Sequence, residues 1–185
     1  MFIQTEPTPN PQTLKFVPGL TVLDDGVAEF RNQEEAAQSP LAERLFEVDG
    51  VTGIYLGHDF VSVSKRDEVE WHHIKPAILG TIMEHFTAGL PVLREGATLG
   101  GHAGAGAESD NPVVRQIVEL LDSRVRPAVA QDGGDIVFHG FEDGVVYLAM
   151  QGACAGCPSS IMTLKHGIEN LLRHYVPEVT EVRSV

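Results

Sequence analysis

The sequence predicts an α+β protein: two small α/β domains joined by a flexible linker. Three observations carry that expectation. After Leu93 the run "REGATLGGHAGAGAESD" consists largely of glycine and alanine and keeps no hydrophobic period. On either side of it, period-2 strand patterns are interspersed with 3.6-period helical ones. Beyond it the order is αββαβ in about 75 residues, near the small end for an independent domain. That order implies a mixed three-stranded sheet with two helices. The divisions are residues 1–92, a linker at 93–110, and residues 111–185.

In the first domain, "MFIQTE" and "TLKFVPG" read as short strands separated by the proline-rich "PTPNP". Ser39-Pro40 opens an amphipathic helix with Leu41, Leu45 and Val48 on one face. Ser39 suits the N-cap, and Pro40 suits the first helical position, where a missing N–H costs nothing. "VTGIYLG" and "FVSVSKR" alternate around His58-Asp59, the pattern of a hairpin. A second helix is expected from about Trp71 to Thr87, burying Ile74, Ile78, Ile82 and Phe86. Pro76 objects, unless the helix proper begins near it.

In the second domain, Asp110-Asn111-Pro112 is a helix start. Val114, Ile117, Val118, Leu121 and Val125 recur with a helical period until "RPAVAQDGGD". Asp132-Gly133-Gly134-Asp135 reads as a turn and only superficially as a phosphate-cradling loop. "IVFHGF" and "VVYLAM" are strands joined by Glu142-Asp143-Gly144, an Asp-Gly hairpin signal. A cysteine loop follows, then a helix from Pro158 to about His174, and "EVTEVRSV" closes as a strand.

Composition excludes several classes. The chain is 43% hydrophobic and 21% charged, as ordinary globular proteins are, and has no apolar run of membrane-spanning length. Its net charge is −13, with 17 acids against 7 Lys/Arg in residues 1–110 and 9 against 6 in 111–185. Such a chain repels a phosphate backbone, so no nucleic-acid partner is expected. Its acidity suits solubility, or attraction to a basic partner surface. The opening "MFIQTEPTPNPQ" lacks the basic start and apolar stretch of a targeting segment, which points to a cytoplasmic protein with reduced cysteines. No nucleophile elbow, Walker-type loop or paired-carboxylate signature is present.

Both cysteines of the chain lie in "QGACAGCPSS", as Cys154 and Cys157. A Cys-x-x-Cys turn lets two thiolates converge on one metal or one cluster edge. Ala155-Gly156 crowds nothing, and Pro158 at the first helical position puts Cys157 at the N-cap. Free N–H groups and the helix dipole there favour the thiolate, so the site suits ionised sulfur. A buried structural pair, a dithiol redox motif and a metal or cluster site all compete. Against the redox motif, Ala153 stands where an aromatic is usual, and the αββαβ order lacks the parallel βαβ unit such a fold needs. For a metal site, two sulfurs fall two short, unless two chains meet at this loop around a two-fold axis. The eight histidines do not complete a zinc pattern; His166 and His174 lie two turns apart and are expected to face solvent, and His72-His73 reads as helix surface.

The segment "GACAGCPSSIMTLKHGIE" closely resembles the C-terminal domain of NifU and of Nfu-type iron–sulfur cluster carriers. "TEPTPNPQTLKF" resembles the N-terminal domain of Nfu proteins, and the two matches cover nearly the whole chain apart from the linker. The resemblance implies a non-enzymatic carrier of a [4Fe-4S] rather than a [2Fe-2S] cluster, bridged between two subunits by Cys154 and Cys157 of each. It implies a homodimer when loaded, assembly machinery as donor, and apo-proteins such as lipoyl synthase or aconitase-like targets as acceptors. Residues 1–92 would aid partner recognition. The compartment implied is the bacterial cytoplasm, or the mitochondrial matrix for a processed eukaryotic form. The alternative from another class is a thiol-disulfide oxidoreductase using the same pair.

Overall fold

The computed structural model describes the backbone of residues 2–24, 26–97, 110–154 and 158–185, and the side chains of these apart from 158–161. The chain folds as two compact units, residues 1–100 and 101–185. Both are α+β.

The first unit has five strands: β1 (Gln4–Pro7), β2 (Thr13–Val17), β3 (Ala28–Phe30), β4 (Val51–Leu56) and β5 (Val61–Lys65). They form an antiparallel sheet in the order β1-β2-β5-β4-β3. The register explains the core. Val63 is paired with Leu14 on one side and Ile54 on the other, and Val61 with Phe16 and Leu56. All six belong to one apolar cluster, as period-2 alternation requires of a single face. Helices α2 (Pro40–Phe46) and α3 (Trp71–Thr87) contribute Leu41, Leu45, Ile74, Ile78 and Ile82 to it.

Ser39 caps α2 as its sequence suggests, its Oγ accepting from the Ala42 amide at 3.1 Å. The Ser39 hydroxyl also donates to the Val92 carbonyl at 2.5 Å. Strand β3 and the single turn α1 (Gln33–Ala36) escaped the sequence reading, because three and four residues carry no measurable period. Helix α3 begins at Trp71, not near Pro76, which lies inside it. Its C-terminal turn also departs from expectation: Phe86 is half-buried and His85 is fully buried. Residues 93 and 94, assigned above to the linker, are fastened to this unit. Leu93 packs against its core, and the Arg94 guanidinium donates to Ala37 O at 2.6 Å and reaches Glu43 at 2.7 Å. Of the linker, residues 98–109 lie outside the described residues.

The second unit is a three-stranded sheet, β6 (Gly134–Glu142), β7 (Val145–Gly152) and β8 (Glu181–Ser184), in that order. Asp143 and Gly144 both take positive φ, 50° and 80°, as the two-residue turn between β6 and β7 requires. Strand β8 runs parallel to β7, with the crossover made by α6 (Pro158–Tyr175). A parallel βαβ unit is therefore present, contrary to the expectation that this order lacks one. Parallel neighbours need a crossover, and α6 supplies it by returning the chain to the starting end of β7.

The first helix of this unit is longer than its sequence suggests. Helix α4 (Pro112–Leu120) is capped by Asn111, whose side chain accepts from the Val113 amide at 3.0 Å. A π-helical segment (Leu121–Val125) follows, and α5 (Arg126–Gln131) carries the helix through Pro127. Proline has no N–H and its ring clashes with the carbonyl four residues back. The ladder widens before it instead of breaking: the Arg126 amide bonds to Leu121 O, five residues back. The core joins Ile117, Leu121 and Val129 to Ile136, Leu148 and Leu172.

His85 makes the first unit sensitive to acid. Its Nε2 lies 3.0 Å from Pro91 O, so that nitrogen carries the proton, while the buried Nδ1 has no hydrogen-bond partner. Burial, with a smaller contribution from Arg44, holds its pKa below the ordinary 6.5. Between the two values the unfolded chain binds the extra proton, so this stabilisation is complete above about pH 6.5 and is lost as pH falls. Urea unfolding followed by fluorescence of Trp71, the sole tryptophan, should show stability falling from about pH 7 to about pH 5. His85→Leu should flatten that slope.

Candidate functional site

The cysteine loop occupies the turn between β7 and α6. Cys154 stands two residues beyond the end of β7, and Pro158 opens α6. Cys157 and its contacts lie outside the described residues, as does the helix N-cap expected of it. The described half of the site is defined by Cys154 and by what surrounds it.

Strand pairing delivers Cys154 to a fixed place. Gly134, the first residue of β6, is opposite Gly152, the last of β7. The chain then turns: the Ala153 amide donates to Gly133 O at 3.2 Å and the Cys154 amide to Gln151 O at 3.3 Å. Gly133 has φ of +75°, the left-handed region open mainly to glycine. At Gly134 the reason for glycine is steric. A Cβ there would collide with Cys154 Sγ and lie 2.9 Å from the Cys154 amide nitrogen and 3.0 Å from Gln151 O. The Asp132–Asp135 segment, read from sequence as a plain turn, is thus also the brace of the cysteine loop. The signal was the glycine pair itself, of which only Gly133 is needed for a left-handed backbone.

Cys154 is 7% exposed and belongs to the apolar core. Burial, followed by the carboxylates of Asp132 and Asp135, pushes its thiol up to about 12. At Cys154 this corrects the expectation of a site suited to ionised sulfur. The helix dipole was taken as the dominant field, but this sulfur lies on the strand side of the loop, among carboxylates.

Asp135 is itself buried and is balanced by Arg126, also buried, whose Nε lies 3.8 Å from its Oδ1. Arg126 also pairs with Asp122 and donates to Ile136 O at 3.2 Å. The π-helical segment immediately precedes Arg126, so the widened turn and the buried ion pair occur together. Neither Arg126 nor Asp135 was identified from sequence, because nothing in their spacing tells a buried pair from a solvated one.

His166 and His174 are exposed on α6, as expected. His72 and His73 are exposed on α3 with ring centroids 4.0 Å apart. Among the described residues no group of three or more His, Cys, Asp or Glu side chains is placed to hold a metal.

Comparison with known proteins defines the class first. Residues 3–89 match the family model "Scaffold protein Nfu/NifU N terminal", and residues 117–183 match "NifU-like domain". The chain belongs to the Nfu family of NifU-like proteins. It is 50% identical over 186 residues to the human protein named "NFU1 iron-sulfur cluster scaffold homolog, mitochondrial", covering all of this chain and 72% of that one. The Drosophila erecta protein of the same name is 51% identical over 189 residues, and the chain spans 65% of its length. A solution structure of a NifU-like protein from Saccharomyces cerevisiae aligns with 51% of this chain and 86% of its own, at 28% identity and a TM-score of 0.47.

Two outcomes test the brace. Gly134→Ala should cost about 1–3 kcal/mol, and it should speed alkylation of Cys154 by displacing its sulfur. Thiol labelling in a Cys157→Ser background measures the second effect; an unchanged labelling rate would show that the glycine does not position the sulfur. Arg126→Met leaves the Asp135 carboxylate buried without its main counter-charge and should destabilise the second unit by about 3 kcal/mol, read from hydrogen exchange in β6.

Proposed function

We propose that this protein is an iron–sulfur cluster carrier in which Cys154 and Cys157 of two copies together hold one [4Fe-4S] cluster for delivery to apo-proteins. The observation that carries the reading is the position of the sole Cys-x-x-Cys pair. It sits in a glycine-braced strand-to-helix turn of a NifU-like unit, with two thiols where a cluster takes four. A two-fold axis at the loop supplies the missing pair. The relatives it matches are named as iron–sulfur cluster scaffolds, which supports the cargo. In this reading the cluster is cargo and the chain catalyses no reaction. Residues 111–185 carry it, residues 1–94 recognise donors or acceptors from the assembly machinery and its clients, and 95–110 lets the two parts reorient.

The features around Cys154 suit a temporary hold. A sulfur whose anion is opposed by burial and by two carboxylates binds a metal more weakly than one at an electropositive site, because binding must first displace the proton. Such a thiol is also protected from oxidation while empty, since reactivity follows thiolate character and exposure.

One observation favours a thiol-disulfide oxidoreductase: β7, the cysteine loop, α6 and β8 form the parallel strand–helix–strand that redox sites of this spacing use. Against it, the first cysteine of such a motif is an exposed, low-pKa nucleophile, whereas Cys154 is buried and raised. The relatives named above are mitochondrial proteins, and the compartment proposed here is the mitochondrial matrix or the bacterial cytoplasm. Among the described residues no helix is long and apolar enough to cross a membrane.

Anaerobic reconstitution with iron and sulfide separates the readings. The carrier should take up about two iron and two sulfide per chain and shift from monomer to dimer by sedimentation. Cys157→Ser and Cys154→Ser should each abolish uptake. A colourless monomer that reduces insulin disulfides would establish the oxidoreductase instead.

A further inference from the structure

Helix α3 has an unusual outward side for a protein this acidic. From Trp71 to Thr87 only Lys75 and Glu84 are ionised at neutral pH, apart from histidines, while residues 1–100 hold 15 acids and 7 Lys/Arg. Pro76, Ala77 and Gly80 are exposed, and Met83 is 42% exposed. Nothing stands where a Cβ at Gly80 would be. Proline and glycine are poor helix formers, and an ordinary solvent face would carry lysine or glutamate at such positions.

His73, Ile74, Ala77 and Thr81 of α3 form one wall of a hollow of about 620 Å³, open to solvent. Its apolar surface comes from Val48, Val69, Ile74 and Ala77. Thr81 adds a methyl, because its hydroxyl donates back to Ala77 O at 2.8 Å. The lining also includes Glu47, Asp49 and Glu68, opposed by Arg44. Arg44 is already paired with Glu84 at 3.1 Å, and Asp49 with Arg66 at 3.1 Å. Glu47 and Glu68 are exposed and have no ion-pair partner among the described residues. The result is a trough of mixed lining, apolar at Val48, Val69, Ile74 and Ala77 and polar at His73, with unneutralised carboxylates on its rim.

We propose that this groove docks an amphipathic, lysine- or arginine-rich segment of a partner protein, whose apolar side chains enter against Ala77 and Val69 while its cations meet Glu47 and Glu68. Charge complementarity selects this occupant. The same acids repel an acidic segment, and a second copy of this chain would bring the identical acidic rim against them. Ala77 leaves room on the α3 wall for an incoming side chain, as recognition of a segment in a groove requires.

The test uses the full apo chain without iron, so its failure leaves the cluster reading untouched. The probe is a fluorescein-labelled peptide of about 14 leucine and lysine residues in helical register, followed by anisotropy. Binding should be saturable and weaken with salt. Glu47→Lys/Glu68→Lys and, separately, Ala77→Arg should each reduce affinity about tenfold or more. The control Asp24→Lys/Glu34→Lys changes net charge equally at exposed sites outside the lining and should cost much less. Equal loss in the control, tight binding of a leucine–glutamate peptide, or no effect of Ala77→Arg would each overturn the proposal. So would self-association of the apo chain abolished by Ala77→Arg, which would make the occupant a second copy.

Discussion

The thiol of Cys154 fills the space that any side chain at residue 134 would need, and the second unit is arranged around that contact. Two glycines, Gly133 and Gly134, let β6 begin directly beneath the cysteine loop, one by its backbone conformation and the other by its lack of a Cβ. Because Gly134 is also paired with Gly152, the sheet register and the sulfur position are the same constraint. A slip of one residue would exchange the faces of β6 and β7, sending Ile136, Phe138, Leu148 and Met150 outward and removing the sulfur from its seat. The core thus holds the site in register.

Charge adds a second layer. A buried carboxylate beside a buried thiol is costly unless something answers it, and Arg126 answers Asp135. The geometry depends on Pro127, which forbids a regular ladder and is accommodated by the π-helical segment ahead of it. Of the two carboxylates that raise the Cys154 pKa, Asp132 is exposed, and the buried Asp135 is tolerated because a cation is locked behind it.

Much of this was legible in the sequence, and the limits are physical. Long periodic segments declared themselves: α3 was placed from Trp71 to Thr87 by Ile74, Ile78 and Ile82, and the Asp143-Gly144 turn by its residue types. Short elements such as β3 did not, since three residues show no period. The helical period was followed only as far as "RPAVAQDGGD"; the π-helical passage into α5 depends on tertiary packing. The cysteine motif located the site, whereas Gly134, Arg126 and Asp135 became visible only when β6 was laid against β7. The protonation of Cys154 was misjudged for the same reason. A dipole can be inferred from a helix start, but the field of carboxylates about twenty residues away in sequence requires the fold.

The two units meet their polar demands in opposite ways. In the second, a buried charge is matched by a buried charge, and the site's chemistry is the consequence. In the first, His85 is a buried polar group answered on one nitrogen and left bare on the other. The carbonyl it holds belongs to Pro91, and the next carbonyl, of Val92, is taken by Ser39, so the segment leaving α3 is tied back to the start of α2. That tie fixes α2 against α3, the two helices whose flanks enclose the open trough. Neutral imidazole is therefore part of what keeps the trough in shape. Acid would place a second proton on the buried, unpartnered Nδ1, so its cost falls on burying that charge and not on the bond from Nε2 to Pro91 O.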